Sequence, residues 1–398
     1  MTQMLAQCCL MLVLYAYGLF PLLVYMRRQL FRRPWRSADI TPTVSIVIIC
    51  HNEVDHIERK LRNVLSLDYP FHALEVIVAS DGSDDGTDDI VRFFGDQRVT
   101  LLSYARRGKI PALNDAVRMA RGEILVFSDA NSQFAPDALR KLTRHFADPS
   151  IGCVAGNQVY TDDPDAGAAA SGERSYWNFD RSLKVAESIA GNAISATGAI
   201  YAIRSGLFQE VPSGVTDDFT ISTRVIHQGY RIVFDPDAIA SEAVAGKPRA
   251  EFRRKVRVMT RGLNAVLAVR DLLNPFRYGF YSLQLFSHKV LRRLVVLPLL
   301  VLLGLSPWLW NAGWLYRALV IAQMAVYLPA LAGCALARTS LGRWRPLSVP
   351  YYFCLVNVAA LVAVLNVLCG RKIERWDSQR AESSSDQIQP TFAGNRSS

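Results

Sequence analysis

Three groups of oxygen-bearing residues in this sequence have the types and the spacing to do chemistry. The first is Asp129-Ala130-Asn131, two polar side chains flanking one small residue. Hard divalent cations take oxygen ligands, so such a turn can hold a cation against a diphosphate. Read alone, it is equally a turn or a helix N-cap. The second group is the carboxylate pair Asp217-Asp218. Adjacent like charges raise the pKa of one member unless a cation or a donor compensates, and a carboxylate beside a hydroxyl can serve as general base. Read alone, the pair is also the acidic start of a helix. The third group, Asp81-Gly82-Ser83-Asp84-Asp85-Gly86-Thr87, carries the same ambiguity, because Asp-Gly turns are common.

These groups gain meaning from the elements that precede them. Val44 to Cys50 is a β-branched apolar run and predicts a buried strand. Further strands are expected at Glu75–Ala79, Val99–Ser103, Glu123–Phe127 and Ile151–Ala155. Helical spacing falls between them, at residues 54–66, 86–94, 110–120 and 136–146. This alternation predicts an α/β fold with a mostly parallel sheet covered by helices. Ligands of such folds bind beyond the C-terminal ends of the strands. His51-Asn52-Glu53, Ser80-Asp81-Gly82 and Ser128-Asp129-Ala130-Asn131 each follow a strand, so they converge on one edge of one sheet. No G-x-G-x-x-G turn follows the first strand, which argues against a nicotinamide enzyme.

The rest of the chain reads as membrane-associated. Of its 398 residues, 51% are apolar, and four stretches carry almost no charge: Met4–Met26, Leu294–Trp310, Trp314–Ala337 and Val349–Gly370. Each is about the length that crosses ~30 Å of hydrocarbon. The first lacks a basic n-region and a cleavage site, so it reads as a retained anchor and not a signal peptide. The net charge of +10 does not point to nucleic acid, since no aromatic-basic module is present. The arginines instead flank the apolar stretches: Arg27, Arg28, Arg32, Arg33 and Arg36 after the first, Arg292 and Arg293 before the second, Arg338, Arg343 and Arg345 before the last. This positive-inside pattern places the N-terminus outside, residues 30–290 in the cytoplasm, and the arginines against lipid headgroups. Three C-terminal crossings would leave the tail outside, whereas Arg371, Lys372 and Arg375 favour inside. A re-entrant segment, or a first segment that does not span, would repair that parity. The seven cysteines lack metal-ligand spacing and suit a reducing compartment.

The expected organisation is therefore a membrane anchor over residues 1–28, a basic linker over 29–41 and a cytoplasmic domain over 42–270. An interfacial helix follows over 271–293, then about three membrane helices over 294–370 and a disordered tail over 371–398.

In their joint order the motifs resemble family 2 glycosyltransferases, of the metal-dependent GT-A fold. The resemblance runs from about residue 42 to 262. It rests on Val44 to Glu53, Ala79-Ser80-Asp81-Gly82-Ser83, Gly108-Lys109 with Ala112-Leu113-Asn114, Asp129-Ala130-Asn131, Thr197 to Arg204, and Thr216-Asp217-Asp218. The flanking membrane stretches match the polysaccharide-synthase-like branch. The resemblance implies inverting transfer of a sugar from a nucleotide-sugar, expected to be a UDP-sugar, to a carbohydrate or lipid-linked acceptor in cell-surface polysaccharide synthesis. It implies that Glu53 and Asp81 contact the uracil and ribose, that Lys109 lies near the nucleotide, and that Asp129 and Asn131 hold Mg2+ or Mn2+. Asp218 is then the base, with Asp217 supporting it.

Two departures stand out. The metal motif ends in Asn131 and not Asp, which leaves one neutral carbonyl oxygen at that position. The Q-x-x-R-W of processive synthases reads Arg254-Lys255-Val256-Arg257-Val258, so Arg257 is kept while the Gln and Trp are absent. The missing acceptor-packing Trp keeps open a single-sugar transfer to a polyprenyl phosphate or other lipid. Arg204, Arg254 and Arg257 are expected on the acceptor or the diphosphate, or, for the latter two, on an anionic lipid or a plain basic juxtamembrane face. A non-catalytic scaffold in a polysaccharide assembly complex is the reading from another class, and Asn131 is the feature that permits it. His51 is expected to be structural. His227 is expected at a surface, and His288 with Lys289 at lipid headgroups.

Overall fold

The structure is a computed structural model describing residues 1–161, 168–243, 248–337 and 339–371. Its strands are β1 (Val44–Cys50), β2 (Leu74–Asp81), β3 (Val99–Tyr104), β4 (Ile124–Asp129), β5 (Gln133–Phe134), β6 (Ile151–Thr161), β7 (Tyr201–Arg204) and β8 (Arg231–Ala243). They form one sheet in the order β3-β2-β1-β4-β7-β6-β8-β5. Strands β1 to β4 pair in parallel, as do β6 and β8. The remaining pairs, β4–β7, β6–β7 and β5–β8, are antiparallel. The sheet is therefore mostly parallel, as the sequence predicts, with β7 reversed between β4 and β6 and β5 antiparallel at the edge. The reversal has a simple cause. Tyr201, the first residue of β7, pairs with Phe127 near the end of β4. The chain enters β7 from the edge where the motifs lie, so it can only run backward along its neighbour.

Alternate residues of β1 feed two cores. Val47 and Ile49 pack with Ile110, Leu113 and Ala116 of the helix Lys109–Met119. Ile46, Ile48 and Cys50 pack with Ile57, Leu61 and Val64 of the helix Ile57–Leu65 and with Leu139 and Leu142. Each fully buried isoleucine contributes about 1.5–3 kcal/mol, so the sheet is fixed from both faces.

One glycine in the turns at the sheet edge has no substitute. Gly82 has φ +67°, and a Cβ there would lie 2.6 Å from the Arg106 amide nitrogen. Only glycine lets the turn after β2 approach residues 106–108 so closely.

Among the described residues, three helices are long and apolar enough to cross a membrane: Thr2–Leu30, Trp314–Ala335 and Arg345–Leu368. The expected crossing at Leu294–Trp310 contains the helix Val296–Leu305, which has 10 residues and so spans about 15 Å. It lies along the first helix, with Leu302 and Leu309 against Ala6 and Cys9, and Leu291 and Val295 against Ala16. Gln7 then donates to the Tyr316 hydroxyl at 3.3 Å. The interfacial helix expected before it is broken at Gly279 (φ +55°), between Pro275–Tyr278 and Phe280–Leu285. The helix Arg345–Leu368 packs on the cytoplasm-predicted domain: Tyr352 carries Lys255 over its ring at 5.0 Å, and the Asn366 amide donates to Thr260 Oγ1 at 3.5 Å. Its Phe353 ring meets Tyr17 of the first helix at 5.7 Å. The tail expected to be disordered lies outside the described residues except for Arg371.

Candidate active site

The turn after β1 is clipped to the turn after β2. Asn52 sits at φ +54°, and its side chain exchanges two hydrogen bonds with Asp84, donating to Oδ1 at 2.8 Å and accepting from the amide at 3.0 Å. The Glu53 amide donates to Thr87 Oγ1 at 2.9 Å. A positive φ in a residue other than glycine costs energy, and Asn tolerates it best. The reward is that Glu53 is delivered to the rim of a cavity.

Asp81 ends β2 and is fully buried. Its carboxylate accepts from the Arg107 amide at 2.8 Å and the Gly108 amide at 2.9 Å, with Arg106 Nε at 3.9 Å. It thus holds the turn that starts the helix Lys109–Met119, and that helix begins with Lys109 aimed across the sheet edge. Lys109 Nζ stands 3.3 Å from Asp129 Oδ1 at the end of β4 and 3.0 Å from Asp217 Oδ2. Asp217 and Asp218 open the helix Asp217–His227. Gly198 makes room for this meeting, since a Cβ there would lie 3.1 Å from Asp129 Oδ2.

The charges are tuned by this arrangement. Burial works against Lys109, but Asp217 and Asp129 outweigh it and raise its pKa above the ordinary lysine value. Burial alone would raise Asp217, yet Lys109 and Arg261 overcome it and hold the carboxyl below the usual range. Asp218 goes the other way: burial first, then the adjacent Asp217, push it up to about 6. The pair is thus split into a permanent anion and a carboxylate basic enough to take a proton near neutrality.

All of these groups face one cavity of about 1010 Å³. Of the residues singled out in the sequence, the structure brings Glu53, Lys109, Asp129, Asn131, Asp217, Asp218, Arg254 and Arg257 to its lining. Asp81 lies beneath the adjoining turn. Arg204 is elsewhere: it pairs with Ile124 at the start of β4, and its guanidinium donates to the carbonyls of Ile151 (2.8 Å), Phe146 (2.8 Å) and Asp148 (3.0 Å). Expected on the acceptor or diphosphate, it instead ties strand ends together at the opposite edge. His288, expected at headgroups, is buried between two acids, with Nδ1 3.1 Å from Glu187 and Nε2 3.2 Å from Asp180. His227 is exposed, as expected, and stacks on Tyr278.

Several site residues carry no sequence signal. Glu242 of β8 lines the cavity, accepts from Gln158 Nε2 at 2.6 Å, and is pushed up to about 7 by burial and then by Asp129. Lys60 is fully buried under the Asp129 turn, where its Nζ donates to Ser128 Oγ and the Ser132 carbonyl, both at 2.7 Å. Trp177 and Tyr160 line the cavity edge to face, 5.7 Å apart. A divalent cation fits what is present: Asp129 and Asn131 offer hard oxygens to the cavity, and the hydroxyls of Thr197 and Thr216, which line the same cavity, are buried without a hydrogen-bond partner. No cluster of three acidic, His or Cys ligands exists among the described residues, so remaining ligands would come from a bound diphosphate or water.

The comparisons with known proteins agree with this geometry. A sequence model of the family described as "Glycosyltransferase like family 2" matches residues 42–265. The chain is 25% identical to the poly-beta-1,6-N-acetyl-D-glucosamine synthase of Staphylococcus aureus strain MSSA476, over 70% of this chain and 68% of that enzyme. It is 26% identical to the glycosyltransferase AglE of Haloferax volcanii, over 67% of this chain and 82% of that protein. Among solved structures, the mannosyltransferase PcManGT from Pyrobaculum calidifontis, in complex with GDP-Man and Mn2+, superposes with a TM-score of 0.66 and 27% identity, covering 92% of this chain and 99% of that one. The chain belongs to glycosyltransferase family 2, has the GT-A fold, and is a sugar-transferring enzyme with apolar helices suited to membrane association.

Proposed function

We propose that this family 2 glycosyltransferase moves one sugar from a nucleotide-sugar to a hydroxyl or phosphate oxygen of its acceptor, with inversion at the anomeric carbon. The observation that carries the reading is the Lys109 bridge, which joins the Asp129-Ala130-Asn131 turn to the Asp217-Asp218 pair across one cavity. Donor phosphates would lie at the first of these and the acceptor at the second.

With a hydroxyl acceptor, Asp218 takes the proton as that oxygen attacks the anomeric carbon. The bond from that carbon to the diphosphate breaks, and its electron pair leaves on the diphosphate. The products are an inverted glycoside, a nucleoside diphosphate and protonated Asp218, which returns its proton to solvent. Asp217, kept anionic by Lys109, maintains the basicity of Asp218. Arg254 and Arg257 supply positive charge toward the leaving group. A Mg2+ or Mn2+ ion held by Asp129 and Asn131 would screen the diphosphate charge. Glu53 would contact the nucleoside, and Asp81 would act on it through the turn it braces.

We read the donor as a UDP-sugar. The solved relative's GDP-Man makes GDP-mannose the runner-up. A screen of UDP- and GDP-sugars in membranes with Mn2+, followed by mass analysis of the product, decides between them. Hydrolysis or transfer from no donor in that screen would sink the whole reading.

The same cavity that Asp218 lines is also walled by Val349, Tyr352, Phe353, Val356 and Ala360 of an apolar helix. This favours a lipid-linked acceptor over a free carbohydrate. The same packing bears on topology. If Arg345–Leu368 lies along the membrane face of a cytoplasmic catalytic domain, the tail at Arg371 stays on the cytoplasmic side, as its charge requires. Reporter fusions at the tail should then report the inside; an outside signal overturns this arrangement.

A further inference from the structure

The helix Ile57–Leu65 buries Ile57, Lys60, Leu61 and Val64 along one face. Three of these are what an apolar stripe calls for. The fourth carries an ammonium and has no exposed surface. Taking such a group out of water is unfavourable, and burial pushes Lys60 down to about 7 against the pull of Asp129 and then Glu242. Packing alone does not call for this residue, since a methionine fills a similar space with no charge to desolvate.

The partners of the ammonium account for it. Lys60 Nζ donates to Ser128 Oγ and to the Ser132 carbonyl, both at 2.7 Å, and lies 4.1 Å from the centre of the Phe134 ring. Those two oxygens stand at the two ends of the turn 128–132, which carries Asp129 and Asn131. Ala130, between the two, is buried in the core with Ile57 and Leu61. The turn is also tied from within: Ser132 Oγ donates to the Asp129 carbonyl at 2.9 Å, and Ser128 Oγ to the Ala199 carbonyl at 3.0 Å. Strand β5, just beyond, is fastened separately by Asn63, which exchanges hydrogen bonds with the Phe134 backbone at 2.9 and 2.7 Å. The bonds of Lys60 therefore bear on the turn itself. Two oxygen ligands on a short turn bind an ion well only if their arrangement is set beforehand, because any freedom left to them is lost on binding.

We propose that Lys60 is a positioning residue for the divalent cation: by tying Ser128 to Ser132 from beneath, it holds Asp129 and Asn131 in one arrangement. This rests on the transferase reading, in which that turn takes the metal, and the test separates the two.

Mn2+ is titrated into the full chain in phosphatidylcholine nanodiscs with saturating UDP, and in parallel with GDP, while the paramagnetic resonance signal of the free ion is followed. Lys60→Met removes the ammonium and keeps the length of the side chain. It should weaken Mn2+ binding about tenfold or more, the scale on which loss of a group behind the ligands lowers metal affinity. Its melting temperature should change little, since replacing a buried ion by an apolar side chain of like size is often neutral. Arg204→Met sets the contrast, with a lower melting temperature and unchanged Mn2+ affinity. Ser128→Ala takes away one anchor of the ammonium and should weaken Mn2+ about threefold or more; it decides the matter if Lys60→Met does not fold. Unchanged Mn2+ affinity in either variant overturns the proposal. So does an equal loss of UDP binding measured without metal, which would make Lys60 a counter-charge for phosphate. An unaltered protein that binds no Mn2+ with either nucleotide instead defeats the transferase reading.

Discussion

Lys109 and Asp217 meet at 3.0 Å, and with the 3.3 Å contact to Asp129 this places one cation between Asp129 and Asp217, 88 positions apart in sequence (from 129 to 217) but adjacent at the sheet edge. Because Lys109 is mostly buried, it neutralises both acids at short range and little of its charge reaches solvent. The first prediction follows from its removal. Lys109→Met takes away a charge that lowers both Asp217 and Asp218, so the acid limb of the pH–rate profile should move to higher pH, with a lower melting temperature. An unmoved limb would mean that the bridge does not tune the base.

Asp218→Asn should reduce kcat about 10²–10⁴-fold, the usual contribution of a general base. Nucleotide affinity should change little, because the amide keeps the shape of the side chain. Undiminished turnover in this variant removes Asp218 from the mechanism.

The native enzyme should lose activity as pH falls through about 6, where Asp218 protonates. The sign is fixed by its role: only the carboxylate accepts a proton, so activity is retained above that pH and lost below it. Rates at saturating donor and acceptor between pH 5 and 8 would display this limb; a flat profile contradicts it.

Asn131→Asp should tighten Mn2+ binding in the presence of nucleoside diphosphate, since an anionic oxygen replaces a neutral one at the proposed metal position. A manganese titration followed by electron paramagnetic resonance measures this directly. Equal affinity in the two proteins would place the ion elsewhere.

Arg204→Met should lower stability and leave the kinetics of the folded enzyme unchanged. Its guanidinium satisfies three carbonyls, and orphaning buried acceptors costs about 1–3 kcal/mol. Denaturant unfolding together with KM separates this from a role in the cavity, because a binding role would raise KM without a loss of stability.

Much of the site was legible because each polar motif follows a β-branched strand, and parallel strands deliver their C-terminal ends to one edge. What stayed hidden depends on distant pairing. A strand-borne arginine such as Arg204 reads the same whether it meets a ligand or a row of carbonyls. Glu242 carries no local mark, and only the pairing of β8 with β6 sets it beside Gln158. His288 finds its acids 101 and 108 residues away, a separation that no local pattern encodes. The reversal of β7 was equally silent, because a short apolar strand carries no mark of its direction.

The cavity wall built from residues 349–360 has a consequence for the life of the molecule. The acidic motifs proposed for metal and base are complete by residue 218, yet the compartment they work in is closed by chain synthesised much later. A ribosome-bound intermediate, or a catalytic domain cut free of its last helix, would present those groups to open water. On this reading the reaction compartment is completed only when the final apolar helix docks.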